Sequence, residues 1–301
     1  MEEKIPNFLY ESLIQQYGQE LTGKIIDGYS HTRVTTLRVN NLKTNIDEVK
    51  NELDKEQIEY EEVIWYKDAL IIKNANESTI SKLDIYKDGK IYLQSLSSMM
   101  PVLVLEPKAN ENILDMAAAP GGKTTQIASI TGDMALITAC EKNKIRAERL
   151  KYNIEKQGAK RINVMQEDSR KLSDYFSFDK ILLDAPCSGS GTINLNDENL
   201  EKYFNLELIK RAEKTQLQLL KKAVKILKKG HEMIYSTCSI LKSENEEIIK
   251  QILKNGNIEI VPIEQLLFKD ELLLPSTLEG TITVCPNELY EGFFIAKLRK
   301  K

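Results

Sequence analysis

From Asn112 onward the chain repeats one pattern: a short apolar run, a turn, then a stretch with helical periodicity. Strands are predicted at Ile113–Met116, Ala135–Ala139, Ile162–Met165 and Lys180–Asp184, with helices at Gly122–Ile130 and Lys142–Gln157. A long helix over Leu206–Lys228, a strand over Glu232–Ser236 and a helix over Ser243–Lys254 follow. Such alternation constrains the fold to a parallel sheet covered by helices on both faces. The tail changes character. Thr281–Val284 and Phe293–Lys297 are two short strands close together, which suits a sheet ending in an antiparallel pair.

The first ninety residues read differently. Leu9, Leu13, Tyr17 and Leu21 recur at helical spacing within a helix over residues 1–28. A strand over Thr35–Asn40 comes next. Asn45 then caps a helix running to Lys55, with Glu48 completing a capping box. Strands over Glu61–Trp65 and Ala69–Ile72 complete a small α+β unit. The expected division is 1–90 and 91–301.

Composition removes several classes of protein. Apolar residues are 42% and charged residues 29% of 301, ordinary for a soluble globular chain. No apolar run approaches the roughly 18 residues of a membrane helix. Met1-Glu2-Glu3-Lys4 does not begin a secretion signal, so a cytoplasmic protein is expected. The four cysteines (Cys140, Cys187, Cys238, Cys285) form no Cys-x-x-Cys pair, and only His31 and His231 are present. That disfavours a zinc site or a disulfide framework, and most Ser-His and Cys-His hydrolase schemes. The net charge of −3 neither advertises nor excludes nucleic-acid binding, because positive charge can be segregated on one face.

Ala117-Ala118-Ala119-Pro120-Gly121-Gly122-Lys123-Thr124 follows a strand and opens a helix. Small residues let backbone approach a ligand, and helix-start N–H groups favour its negative end. A Walker loop is one reading, but Ala117 stands where its first glycine belongs. S-adenosylmethionine is the other. Glu141, about twenty residues past the turn, follows the ribose-binding logic of dinucleotide folds. Asp168, after the third strand, suits the adenine amino group. An ordinary strand–helix turn with surface acids is the plain alternative.

Cys187 and Cys238 both lie at carboxyl ends of predicted strands, where ligands bind in doubly wound sheets. Asp184-Ala185-Pro186-Cys187 joins carboxylate, rigid proline and thiol, and Gly189 and Gly191 keep the loop thin. Tyr235-Ser236-Thr237-Cys238-Ser239 places its thiol among hydroxyl donors just before a predicted helix. Helix N-termini and nearby cations lower thiol pKa values, and Lys123 is a candidate cation. Cys140 and Cys285 read as small buried hydrophobes.

These motifs resemble those of the Sun-type RNA cytosine-5 methyltransferases, and the chain looks most like the short archaeal enzymes that act on tRNA. The resemblance covers nearly the whole sequence. It rests on Leu37–Lys43, Tyr92–Met99, Leu114–Thr125, Leu183–Gly191, Tyr235–Ser239 and Glu291–Lys297. Three places depart from the family pattern. Ala117 stands where many members carry cysteine, His231-Glu232 replaces a Gly-rich lead-in, and Asn194–Glu198 replaces basic or proline residues.

The resemblance implies an α/β, Rossmann-like class I methyltransferase with a mostly parallel seven-stranded sheet, plus a small N-terminal α+β domain for RNA recognition. It implies Cys238 as the nucleophile toward cytosine carbon 6, and Cys187 as the group assisting its release. Asp184 would contact the cytosine edge, and Lys123 would stabilise charge on the ring. S-adenosylmethionine would be held by Ala117, Ala118, Ala119, Pro120, Gly121, Gly122, Lys123, Glu141, Arg146, Asp168 and Asp184. The protein is expected to be a monomer that uses no metal and binds no membrane.

tRNA is the expected RNA, by overall resemblance and because no added C-terminal RNA-binding domain is seen. rRNA is the alternative. Two basic patches are candidates for the RNA: one spans Lys210, Arg211, Lys214, Lys221, Lys222, Lys225, Lys228 and Lys229, and the other Arg33, Arg38 and Lys43. Rival readings are an NTPase using Gly122-Lys123-Thr124, an idle RNA-binding module, a zinc deaminase, and an enzyme in which Cys187 is the attacker.

Overall fold

Helix α1 (Asn7–Ser30) buries Leu9, Leu13 and Tyr17 along one face and is kinked where Gly18 leaves helical geometry. The computed structural model describes residues 5–263 and 273–301. The start of the predicted 1–28 helix and the Met1–Lys4 segment therefore lie outside the described residues.

Strand β1 (Thr36–Val39), helix α2 (Ile46–Lys55), strands β2 (Tyr60–Glu62) and β3 (Ala69–Ile72), short helices α3 (Glu77–Ile80) and α4 (Asp84–Lys87) and strand β4 (Ile91–Leu93) follow. Next come α5 (Leu96–Leu105), β5 (Asn112–Asp115), α6 (Gly122–Ile130), β6 (Leu136–Cys140), α7 (Lys144–Gln157), β7 (Ile162–Met165) and β8 (Phe178–Asp184). The last third holds α8 (Leu200–Tyr203), α9 (Leu206–Ile226), β9 (Leu227–Thr237), α10 (Glu246–Leu253), β10 (Ile258–Val261), β11 (Leu273–Leu274), β12 (Ile282–Val284) and β13 (Phe293–Lys300).

Packing divides the chain into two units. The central unit is Val34–Leu182; the terminal unit joins the described residues up to Arg33 to those from Leu183 onward. In the central unit, strands β2-β3-β1-β4 form an antiparallel sheet. Its apolar face is closed by α2, whose Val49 and Leu53 are fully buried with Leu37, Val39 and Leu70. The predicted capping box is present: Asn45 Oδ1 accepts from Glu48 N and Asn45 Nδ2 donates to Glu48 Oε1, both at 3.0 Å. The same unit holds parallel strands in the order β8-β5-β6-β7.

In the terminal unit the order is β11-β12-β13-β9, with β10 also on β13, and the pairings of β10 to β13, β11 to β12, β12 to β13 and β13 to β9 are antiparallel. Helix α1 packs here. Its Leu9, Leu13, Ile25 and Tyr29 share a core with Ile193, Leu195, Phe204, Ile240 and Leu241.

The fold is the expected mixed α/β type with mostly parallel strands before residue 184 and an antiparallel tail. Among the described residues, nine strands stand outside the small sheet, against seven expected. The extra pair, β10 and β11, are short edge strands with weak sequence signals. Helix α5 was not foreseen either. Its sequence, LSSMMPVLVL, is apolar all round and has no helical period. The predicted 206–228 helix stops at Ile226, because Leu227 already belongs to β9. Cross-strand pairing of Glu232 with Arg299 and Lys297 ties the far end of that longer strand to β13.

Candidate active site

The glycine turn lies between β5 and α6 in the central unit. Thr124 Oγ1 donates to Asp115 Oδ2 at 2.7 Å, tying the first turn of α6 to the end of β5. Ala118 N–H donates to Cys140 O at 2.9 Å, which sets the turn beside the end of β6. Gly121 sits at φ +110, a conformation side chains rarely adopt, and an added Cβ would lie 3.0 Å from Leu150 Cδ1. The turn therefore requires glycine there.

Glu141, only 4% exposed, follows β6 and accepts from Asn143 N at 2.8 Å. Arg146 Nη2 donates to Ala119 O at 2.8 Å, and its Nη1 lies 3.4 Å from Glu141 Oε2. Arg146 thus binds the turn to the acid. Asp168 is clamped by the Arg170 guanidinium, whose hydrogen bonds hold the Asp168 carboxyl below the usual carboxylate range. Lys123 Nζ donates to Ser98 Oγ at 2.7 Å.

Behind the turn lies Arg38, which is fully buried. Its Nη2 donates to Gly122 O at 3.3 Å and Thr125 Oγ1 at 3.2 Å, and its Nε donates to Gln94 Oε1 at 3.1 Å. Arg38 is therefore no part of an RNA-facing patch. Arg33 and Lys43 are also committed to backbone carbonyls: Arg33 to Asn287 O, Lys43 to Asp88 O and Lys156 O.

The thiols lie in the terminal unit, with Cys187 Sγ 2.8 Å from Cys238 Sγ. Its hydrogen bond to Cys238, then burial, raises the Cys187 pKa well above the ordinary thiol range; the nearby Cys238 and Glu244 charges add to this. Asp184, ending β8, accepts from Ser236 Oγ at 2.8 Å, and Ala185 N–H donates to Ser236 O. Gly191 meets Gly292 so closely that a Cβ would fall 1.9 Å from Gly292 O, which fixes the loop after Cys187 against the lead-in to β13.

Sequence reasoning placed Cys238 just before a helix, among hydroxyl donors. The structure starts that helix later and gives those hydroxyls other partners. Helix α10 starts only at Glu246, because residues 238–245 form a turn closed by Asn245 Nδ2 donating to Ser239 O at 2.8 Å. The neighbouring hydroxyls are spent elsewhere: Ser236 on Asp184, Thr237 on Asn245, Ser239 on Glu244. Burial pushes the Cys140 and Cys285 thiols each up to about 11. Residues not anticipated are Ser98, Arg170, Gln216 and Glu244. Ser98, Gln216 and Glu244 meet partners from distant segments, where no local pattern marks them, and Arg170 pairs with Asp168 two residues away.

The donor set fits S-adenosylmethionine. Helix-start N–H groups at a turn that excludes a side chain suit its carboxylate, and the Glu141 carboxylate suits a ribose diol. Among the described residues, no group of three or more His, Cys, Asp or Glu is arranged to hold a metal. No described helix is long and apolar enough to cross a membrane.

The fold is that of a Rossmann-like α/β protein. Residues 102–299 match the model of the 16S rRNA methyltransferase RsmB/F family, and residues 5–79 match the ferredoxin-like domain of RsmF/B-like methyltransferases. The chain belongs to the RsmB/F family, whose members are S-adenosylmethionine-dependent RNA methyltransferases.

It is 33% identical over 273 residues to ribosomal RNA small subunit methyltransferase F of Shewanella oneidensis, covering 88% of this chain and 57% of the relative. The chain thus spans little more than half the length of that relative. Among solved structures it resembles NSun6 from Pyrococcus horikoshii with SFG at 25% identity and a TM-score of 0.86, covering 100% of this chain and 99% of that one. A methyltransferase homolog protein from the same organism matches at 28% identity and a TM-score of 0.82, covering 99% and 100%.

Proposed function

We propose that this protein methylates carbon 5 of cytosine in RNA through a covalent bond from Cys238 Sγ to carbon 6. The 2.8 Å contact between two thiols on separate strand-end loops carries the reading. Carbon 5 of cytosine is not nucleophilic until a group adds next to it. As the S–C6 bond forms, the ring's 5–6 electron pair moves to carbon 5. S-adenosylmethionine, held at the glycine turn, would supply an electrophilic methyl group to that carbon, the electron pair of the broken S–CH3 bond staying on the donor's sulfur as a thioether. Removal of the carbon 5 proton then restores the double bond and breaks S–C6.

Cys187 is suited to two roles. In the resting protein its raised pKa favours the protonated thiol, which lies against the Cys238 sulfur. Once Cys238 is bonded to the ring, a Cys187 that has given its own proton to solvent takes the carbon 5 proton, and the S–C6 electron pair returns to the Cys238 sulfur as that bond breaks. Asp184, oriented by Ser236, contacts the cytosine edge. Ala117–Lys123, Glu141 and Asp168 hold the methyl donor, with Arg146 bracing the turn against Glu141. Reaching carbon 6 requires the base to leave its stack.

tRNA is the proposed RNA, supported by the resemblance to short archaeal enzymes acting on tRNA. rRNA is the second reading, favoured by the description of the matching family and by the Shewanella relative. Residues 1–90 are proposed to contribute to RNA recognition. Bisulfite sequencing of tRNA and rRNA from cells with the gene, without it, and with Cys238→Ala tests the assignment. A modified cytosine that persists with Cys238→Ala overturns the role of Cys238. One found only in rRNA selects the second reading.

A further inference from the structure

Glu244 is a fully buried carboxylate that the chemistry above does not use. Both of its oxygens are occupied by donors that flank the two cysteines. Oε1 accepts from Ser188 N at 2.8 Å and Gln216 Nε2 at 3.0 Å; Oε2 accepts from Ser188 Oγ at 2.5 Å and Ser239 Oγ at 2.6 Å. Ser188 directly follows Cys187, and Ser239 directly follows Cys238. Gln216, on α9, also donates to Pro186 O at 3.0 Å, on the other side of Cys187. Ser190 Oγ and Ser239 Oγ meet at 2.8 Å, and Ile240 N–H donates to Ser190 Oγ at 3.0 Å.

We propose that Glu244 is the positioning residue that clamps the Cys187 loop to the Cys238 loop and so keeps the two sulfurs in contact. The proposal rests on the reading of Cys187 and Cys238 as a working pair, and names what holds that pair. A carboxylate suits this place because it only accepts, and the atoms around it arrive as two N–H groups and two hydroxyls. Glutamine there would turn an NH2 group toward one loop and lose the symmetrical grip.

The test reads sulfur proximity directly, without RNA or cofactor. Diamide, a diazene, takes two electrons and two protons from the thiols, forming the Cys187–Cys238 S–S bond and a hydrazine. Wild-type protein is expected to close this bond rapidly, as seen by peptide mass spectrometry. In Glu244→Gln, closure is expected to slow about tenfold, because small displacements of reacting atoms are costly. Unchanged alkylation of buried Cys140 shows that the fold is intact, which a general loss of structure would not allow. In methylation, kcat should fall while KM for RNA holds.

A folded Glu244→Gln protein that closes the bond at the wild-type rate overturns the clamp, as does wild-type protein whose thiols do not cross-link. Should Glu244→Gln not fold, Ser188→Ala removes a single hydroxyl tie: slower closure supports the clamp, and unchanged closure overturns it. Cross-linking that depends on Glu244 in a protein that methylates no RNA supports the clamp and removes the proposed function instead.

Discussion

Cys187 and Cys238 touch sulfur to sulfur at 2.8 Å, although 51 residues separate them in the chain. The largest influence on the Cys187 thiol is its hydrogen bond to Cys238, and it acts to keep Cys187 protonated. Replacing Cys238 by Ala is therefore expected to move Cys187 alkylation to lower pH. Iodoacetamide labelling between pH 6 and 10, read by mass spectrometry, checks this. Superimposable profiles would show that the contact does not govern the proton.

The two thiols are expected to fail in different ways. Cys187→Ala should accumulate an RNA–protein adduct that survives denaturing electrophoresis, because the S–C6 bond forms but is not released. The double variant with Cys238→Ala should show none. If Cys187 were the attacker, the pattern would invert.

Arg38 supports the glycine turn from behind through Gly122 O and Thr125 Oγ1. Arg38→Met keeps much of the volume but removes the guanidinium that donates to Gly122 O, Thr125 Oγ1 and Gln94 Oε1. Loss of a buried hydrogen-bonding group costs about 1–3 kcal/mol, so a lower melting temperature is expected together with weaker S-adenosylmethionine binding. Calorimetry on the folded variant separates the two effects. Unaltered affinity would mean that the turn holds its shape without Arg38.

Lys210, Lys214, Lys221 and Lys225 are exposed and fall on one face of α9. If RNA phosphates lie along them, reversing Lys214 and Lys221 to Glu should weaken RNA binding. It should also flatten the salt dependence, by about 0.7–0.9 in log–log slope per lost phosphate contact. Binding measured from 50 to 200 mM salt decides. An unchanged slope would assign the stripe to solvent.

Burial pushes the Cys140 thiol up to about 11, above its ordinary value. The folded state therefore holds this proton more tightly than the unfolded chain. Its contribution is fully present below the ordinary thiol pKa of about 8.5 and is lost as pH rises toward 11. Melting temperatures should fall across that window, and Cys140→Ala should fall less steeply. Parallel curves for the two proteins would place the alkaline loss elsewhere.

Much of this molecule was legible because its signals are local. The Asn45–Glu48 capping box, the 122–130 helix after two glycines and the 162–165 strand depend on neighbours within a few residues. The two cysteine motifs were legible for the same reason: each is a short strand end with its own turn. Helix α5 was missed because an element apolar on every side shows no period. Arg38 was misread because a cation in an alternating strand looks the same whether its face meets solvent or a helix.

The sequence by itself determined which residues are available for the chemistry, and where strands must end to present them. Tertiary structure alone decided which of them meet. It put α1 against the loops that follow both cysteines, through Tyr17 to Ile240 O and Tyr29 to Ser190 O. It also buried Glu244 between Ser188 and Ser239. Both outcomes depend on segments far apart in the chain, where burial leaves a polar group no water and makes its partner whichever group packing brings within reach.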